Sequence, residues 1–214
     1  MAGPVAVVGV LIASPAAWAF SFSEEQAKAE GKARAESEQV QQLVSVPCQE
    51  TVKNKKIMLL IAERTGDGWV TTQSRYGPHF DAINRRLRAL GLRTHTQEEI
   101  RAQIAQAEIE AYFHNDPDAA LVASRRFGAS FILRGTITTH TGVNPVLGIP
   151  EVAVHMGFTL SSAAGRTLSD VSARGESFSG ADTLGAALTL VAEQADRIVA
   201  QLYNDYCRSA GAIH

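Results

Sequence analysis

Lys53-Asn54-Lys55-Lys56-Ile57-Met58-Leu59-Leu60-Ile61-Ala62-Glu63-Arg64 is the stretch that decides the fold. Ile57 to Ile61 form an unbroken apolar run, with lysines before it and Gly66-Asp67-Gly68 after it. A run this short and without alternation is a strand covered on both faces of a sheet. The covering helices follow. Phe80, Ile83, Leu87 and Leu90 share one helical face, and Gly91 is the natural stop. Leu92 to Thr94 is a short extended segment, after which Thr96 and Glu99 spell a capping box. Ile100, Ile104, Ala107 and Ala111 then mark one further amphipathic helix. Asp116-Pro117 opens another, with Asp as cap and Pro in the first turn, and Gly128 ends it.

The second half of the chain changes period. Ala129 to Thr139 reads as a strand, and Gly142 to Pro150 as a Gly- and Pro-bearing loop. Val152, Val154, Met156, Phe158 and Leu160 alternate with small or polar residues, as in a strand with one covered face. The turn Ala163-Ala164-Gly165-Arg166 leads into a partner strand through Phe178. Leu184, Leu188, Val191, Ala195, Ile198 and Leu202 make one stripe of a long closing helix. The expected fold is α/β in the α+β sense. It has a mixed sheet of about five strands covered by helices, in the order β-α-β-α-α-β-β-β-α, and no internal repeat.

The N-terminal 19 residues, MAGPVAVVGVLIASPAAWA, carry no charged side chain, an apolar stretch from Val5 to Ala13 and the small-residue site Ala17-Trp18-Ala19. This pattern predicts a secretory signal cleaved after Ala19, too short to span a membrane, and so an exported, soluble, periplasmic chain. Residues 20–47 are rich in Ala, Glu, Gln and Lys and cannot bury a face. They form a polar N-terminal arm, either a frayed helix or a solvated tail. The folded domain covers 48–207, and 208–214 is a short tail. With 20 basic and 22 acidic residues, and no segment concentrating Lys and Arg, nucleic acid is not an expected partner. Cys48 and Cys207 are the two cysteines, without CxxC or CxxH spacing, and in an oxidising compartment they are expected to form a disulfide.

No catalytic, cofactor-binding or metal-ligating residue is assigned. Asp67 between glycines could belong to a phosphate or metal loop, but a tight turn needs the same residues and no Gly-Lys-Ser/Thr follows. His114, Asp116 and Asp118 could offer metal ligands, yet the two acids are already explained as a helix cap and a first-turn charge. The six histidines are scattered, and no serine stands in a G-x-S-x-G elbow. What packing leaves unassigned is the arm with Phe20 and Phe22, the Gly66 to Gly77 loop with Trp69 and Tyr76, and the Gly142 to Pro150 loop. Aromatics on such segments are candidate partner anchors. The rival is that Trp69 and Tyr76 fold back as lids on the sheet edge.

The buried strand, the helix ending in Leu90-Gly91-Leu92 and the helix running into Phe127-Gly128-Ala129-Ser130-Phe131-Ile132-Leu133-Arg134-Gly135 form a familiar order. With the Gly-turn hairpin and long last helix, it resembles the envelope proteins grouped around the curli secretion protein CsgG. That grouping takes in LpoB, FlgT and the N-terminal domain of TolB. The resemblance covers Lys55 to Cys207 and implies an extracytoplasmic domain that binds protein components of an envelope machine, flagellar, secretory or for cell-wall synthesis, without turning over a substrate. The chain has no lipid-bearing cysteine at the cleavage point, and its hairpin is too short for a pore, so soluble FlgT is closest in character. Two other expectations stand beside it: a periplasmic small-ligand binder or hydrolase whose site is assembled from distant residues, and a homo-oligomeric ring.

Overall fold

A computed structural model describes residues 22–114, 116–146, 148–177 and 182–210. The expected signal segment and Phe20 lie outside these residues. The chain divides into two units, Met1–Ala35 and Glu36–His214. The first contributes most of α1 (Phe22–Val44), so the arm is helical and not a tail.

In the second unit, α2 (Gln49–Val52) leads to β1 (Lys56–Thr65), whose residues 57–63 are all buried. A hairpin then adds β2 (Gly68–Val70), and a 3₁₀ turn (Gln73–Tyr76) precedes α3 (Gly77–Ala89) and β3 (Arg93–Thr94). Next come α4 (Gln97–Gln103), α5 (Gln106–Phe113) and α6 (Pro117–Phe127). The chain closes with β4 (Phe131–Val143), β5 (Pro150–Ser162), β6 (Thr167–Ser177) and α7 (Thr183–Ser209). The sheet has six strands in the order β2-β1-β4-β5-β6, with β3 also on β1. β1 runs parallel to β4 and β3, and the other pairings are antiparallel.

Five expectations change. The helix read through Ile100, Ile104, Ala107 and Ala111 is two helices. Ile104 turns to extended backbone (φ −112, ψ 125), and the Glu108 side chain accepts the Ala105 N–H at 3.0 Å, starting α5 afresh. β2 lies in the segment expected to be loop, because three residues are too few to show alternation. β4 and β5 run on through Val143 and from Pro150, shortening the expected loop. β4 begins at Phe131 and not Ala129, and α7 extends to Ser209, into the expected tail. The caps hold as read. Thr96 and Glu99 form the full capping box, Asp116 accepts from the Asp118 and Ala119 amides, and Gly128 takes the left-handed conformation (φ 58).

Paired residues share a face, so one sheet face carries Ile57, Leu59, Ile61, Phe131, Leu133, Ile137, Val154, Met156, Phe158, Leu160, Val171 and Ala173. All are buried. Leu87 of α3 and Val199 and Leu202 of α7 close over Ile57, Phe131 and Leu160, so α3 and α7 cover this face. Gly135 belongs to it because a Cβ there would stand 3.3 Å from Ile61 and 3.4 Å from Phe158. The opposite face is covered only in part. Met58, Leu60, Ala62 and Ile132 are buried, but Asp170, Ser172, Arg174 and Glu176 of β6 are exposed.

Cys48 and Cys207 are bonded, with Cα atoms 5.7 Å apart and a sequence separation of 159. Around that bond, Tyr203 Oη donates to the Val46 carbonyl (2.9 Å) and Asn204 Nδ2 to the Leu43 carbonyl (3.3 Å). The start of the domain is thereby fastened to the last turns of α7.

Candidate functional site

The segment expected to present aromatics to a partner instead completes a sheet edge. β2 pairs β1 at residues 63–65 and β3 pairs it at 56–57, which leaves a gap between them. The Gln73 side chain fills the gap as a strand would. The Ile61 N–H donates to Gln73 Oε1 (3.0 Å), and Gln73 Nε2 donates to the Ile61 carbonyl (2.8 Å) and the Thr71 carbonyl (2.6 Å). Tyr76 continues the repair, accepting the Glu63 N–H (3.1 Å) and donating to the Val70 carbonyl (2.6 Å). Tyr76 is 0% exposed. It cannot offer its ring to a partner, and its assignment as an anchor is corrected to an edge closure. Burial pushes its phenol up to about 12, with the Glu63 carboxylate adding to the rise.

Trp69 lies on β2 and is half-buried. Its ring centroid is 5.7 Å from that of Phe113. The Arg134 guanidinium sits 5.0 Å from Phe113, 5.3 Å from Tyr112 and 5.7 Å from Trp69, and Arg64 approaches Trp69 from the other strand at 5.9 Å. Arg134 Nη2 donates to the Phe113 carbonyl (3.2 Å), fixing the cation among the rings. Phe22 is the first residue of α1.

Among the described residues, two surfaces remain open. The first is the uncovered face of β4, β5 and β6, where register sets Thr138, His155 and Arg174 in one row and His140, Ala153 and Glu176 in the next. Because Ala153 is small, the flanking side chains leave a hollow of about 350 Å³ bordered by His140, His155, Arg174 and Glu176. Arg174 Nε donates to His155 Nδ1 (3.2 Å), so that nitrogen is an acceptor and is not free to act as a base toward a substrate. No group of three or more His, Cys, Asp or Glu stands at metal-binding spacing among the described residues.

The second surface is the tip joining β4 to β5. Val143 is 66% exposed, Val146 87% and Ile149 38%. The tip is held in shape. Asn144 donates its amide N–H to the Ile149 carbonyl (2.9 Å), accepts the Val146 N–H through Oδ1 (3.0 Å) and donates through Nδ2 to Glu151 (3.0 Å). The sequence flagged this loop but not its apolar side chains as the exposed element. The available signal was residues 142–150, which carry no charge at all.

No protein-family model and no curated protein matches the chain. Several solved structures do, bacterial lipoproteins among them. Lipoprotein GNA1162 from Neisseria meningitidis is 16% identical with a TM-score of 0.47, over 67% of this chain and 97% of that one. PelC from Paraburkholderia phytofirmans, solved as a dodecamer, is 20% identical with a TM-score of 0.40, over 70% and 88%. The C-terminal domain of LpoB from Salmonella enterica is 14% identical with a TM-score of 0.39, over 64% and 94%. No helix among the described residues is long and apolar enough to cross a membrane.

Proposed function

We propose that this chain is a non-enzymatic accessory or assembly factor that works outside the cytoplasm and binds protein components of a cell-envelope machine, of flagellar, secretory or cell-wall type. The observation that carries the proposal is the β4–β5 tip, where three large apolar side chains are exposed on a turn whose shape Asn144 fixes. An ordered apolar projection costs little entropy to dock, and contiguous exposed apolar surface marks interaction sites. The Cys48–Cys207 bond supports an oxidising compartment. The segment Phe127 to Gly135 supports the envelope setting through the resemblance it carries.

Magnitudes limit what the tip does alone. Burying these partly exposed side chains contributes roughly 4 kcal/mol, which by itself is about millimolar affinity. The tip therefore orients a partner whose remaining contact lies on the adjoining open face.

The test is a photo-crosslinking residue at position 146 in cells of the source organism. Discrete adducts with envelope proteins, lost when Val143 and Ile149 are changed to Asp, are the expected result. Adducts unchanged by those substitutions would sink the tip as the contact. A hydrolase activity abolished by changing His155 or Glu176 alone would replace the proposal with the enzyme alternative.

A further inference from the structure

β6 is the last strand of the sheet, and the other end of the sheet is closed by β2, β3, Gln73 and Tyr76. In an antiparallel ladder, successive residues turn their backbone groups alternately toward and away from the neighbouring strand. At the β5–β6 turn the Ser162 N–H donates to the Arg166 carbonyl (2.9 Å), so Ser162 faces β6. Counting back along β5, Phe158 and Met156 face β6, and so their partners Val171 and Ala173 face β5. Asp170, Ser172, Arg174 and Glu176 then point their N–H and C=O groups outward. The Ser172 carbonyl accords with this, since it accepts from Arg197 Nη2 on α7 (3.3 Å).

We infer that this edge pairs with itself: two copies of the chain join β6 to β6, antiparallel, about a two-fold axis at Ser172, and continue the sheet from one copy into the other. Ser172 is the midpoint of Thr167–Ser177, and an axis there overlaps the regular part of the two strands, residues 169–175, short of the register shift between Ser169 and Thr167. Asp170, Ser172 and Arg174 would each exchange both backbone bonds across the axis. The same register puts Asp170 of each copy directly opposite Arg174 of the other, on the open face. On the covered face it sets Val171 opposite Ala173, two residues small enough to meet beneath the helices.

The charge pattern is what selects a second copy over a foreign strand. Charged side chains on an edge strand discourage pairing unless the incoming strand neutralises them. This edge carries Asp170 and Arg174 placed symmetrically about Ser172, a pattern that a second copy running in reverse matches at both positions. The two side chains are also held ready. Thr159 Oγ1 donates to one Asp170 oxygen (2.8 Å), and Arg174 is held through Nε by His155, so each is fixed on its row through one atom only. Pairing replaces the long bond from Arg197 with the partner's Ser172 N–H. The contact is isologous and closes at two copies.

Sedimentation of the full chain across micromolar to millimolar concentration tests this. The wild type should associate to a dimer and no further. Asp170→Arg sets two like-charged pairs across the axis and should weaken association about tenfold or more. The double variant D170R/R174D restores opposite charges in reversed order and should recover wild-type association. Amide exchange at Asp170, Ser172 and Arg174 should slow only where the dimer forms. A wild type that stays monomeric, a D170R variant that associates as before, or a double variant that fails to recover while melting like the wild type each overturns the inference. Protection of these amides only on adding a foreign strand peptide does the same.

Discussion

Gln73 stands where a strand residue would stand beside Ile61, giving and receiving a hydrogen bond with that residue's backbone at 2.8 and 3.0 Å. Gln73 is 2% exposed and Ile61 0%, so no water is at hand to take over either bond. Gln73→Ala leaves a buried donor and acceptor unpaired and should destabilise the domain by about 2–4 kcal/mol. Gln73→Leu, similar in volume, should cost a comparable amount, which attributes the loss to hydrogen bonding and not to a cavity. Urea unfolding of both variants is the check, and a loss under about 1 kcal/mol in both would refute this role.

Tyr76 gives the fold a sensitivity to alkali. Its phenol, ordinarily at 10.0, is pushed up to about 12 by burial and the nearby Glu63 charge. A raised folded value means the native state holds the proton more tightly, so its contribution is full below pH 10 and is lost as pH rises toward 12. Denaturant unfolding from pH 9 to 12 should show a fall of about 2–3 kcal/mol that is absent in Tyr76→Phe, which itself starts from a less stable baseline.

His79 acts on the acid side. Burial pushes its imidazole below the ordinary 6.5, opposed in part by the Leu184 backbone. Here the unfolded chain takes up the proton first, so stability is full above pH 6.5 and declines as pH falls below it. His95, also lowered by burial, adds a second slope in the same window. Replacing His79 with Leu should flatten the decline between pH 6.5 and 5 without removing it. An identical slope in the variant would show that His79 takes no part.

Reduction of Cys48–Cys207 should lower the melting temperature sharply. With the cysteines separated by 159 positions in sequence, the chain-entropy description gives about 5 kcal/mol, an upper figure because the unfolded chain is more compact than a free coil. Melting with and without reductant, beside a double Cys→Ser variant, measures it. Equal melting points in all three would disprove the effect.

Trp69 packs on Phe113 and between the guanidinium groups of Arg64 and Arg134. Removing its ring takes away contacts with Phe113, Arg134 and Arg64, so Trp69→Ala should destabilise the domain by about 2–3 kcal/mol. Unchanged stability joined to loss of crosslinked partners would return Trp69 to the contact surface.

How far the sequence carried depended on where the information lay. The run Ile57–Ile61, the alternation from Val152 to Leu160 and the caps at Thr96, Asp116 and Gly128 are local patterns, and each produced the element it spelled. The edge repair was not local. Gln73 and Tyr76 are explained by strand residues 12 and 13 positions away, and nothing in the 3₁₀ turn itself marks them as buried. The split at Ile104 was hidden because the apolar spacing continues across it, while the break depends on Glu108 capping Ala105. The open face was legible only in part: the alternation from Val152 to Leu160 marks β5 as covered on one face, but the residues of β4 and β6 that share its other face follow from register, which no single strand spells.

The bond between Cys48 and Cys207 also decides how the molecule bears a pull. The segment before Cys48 and the residues after Cys207 enter and leave within 5.7 Å of each other, so tension between the two ends passes through two sulfur atoms and bypasses everything between them. The sheet, the helices between the two cysteines and the apolar tip carry none of it. Val52 lies with Ile57 and Phe131 at the starts of β1 and β4, whereas the tip follows the far end of β4, so the anchored corner and the exposed valines are at opposite poles of the sheet. A domain held by its ends would hang from one corner with its apolar tip at the far pole and its strands unloaded.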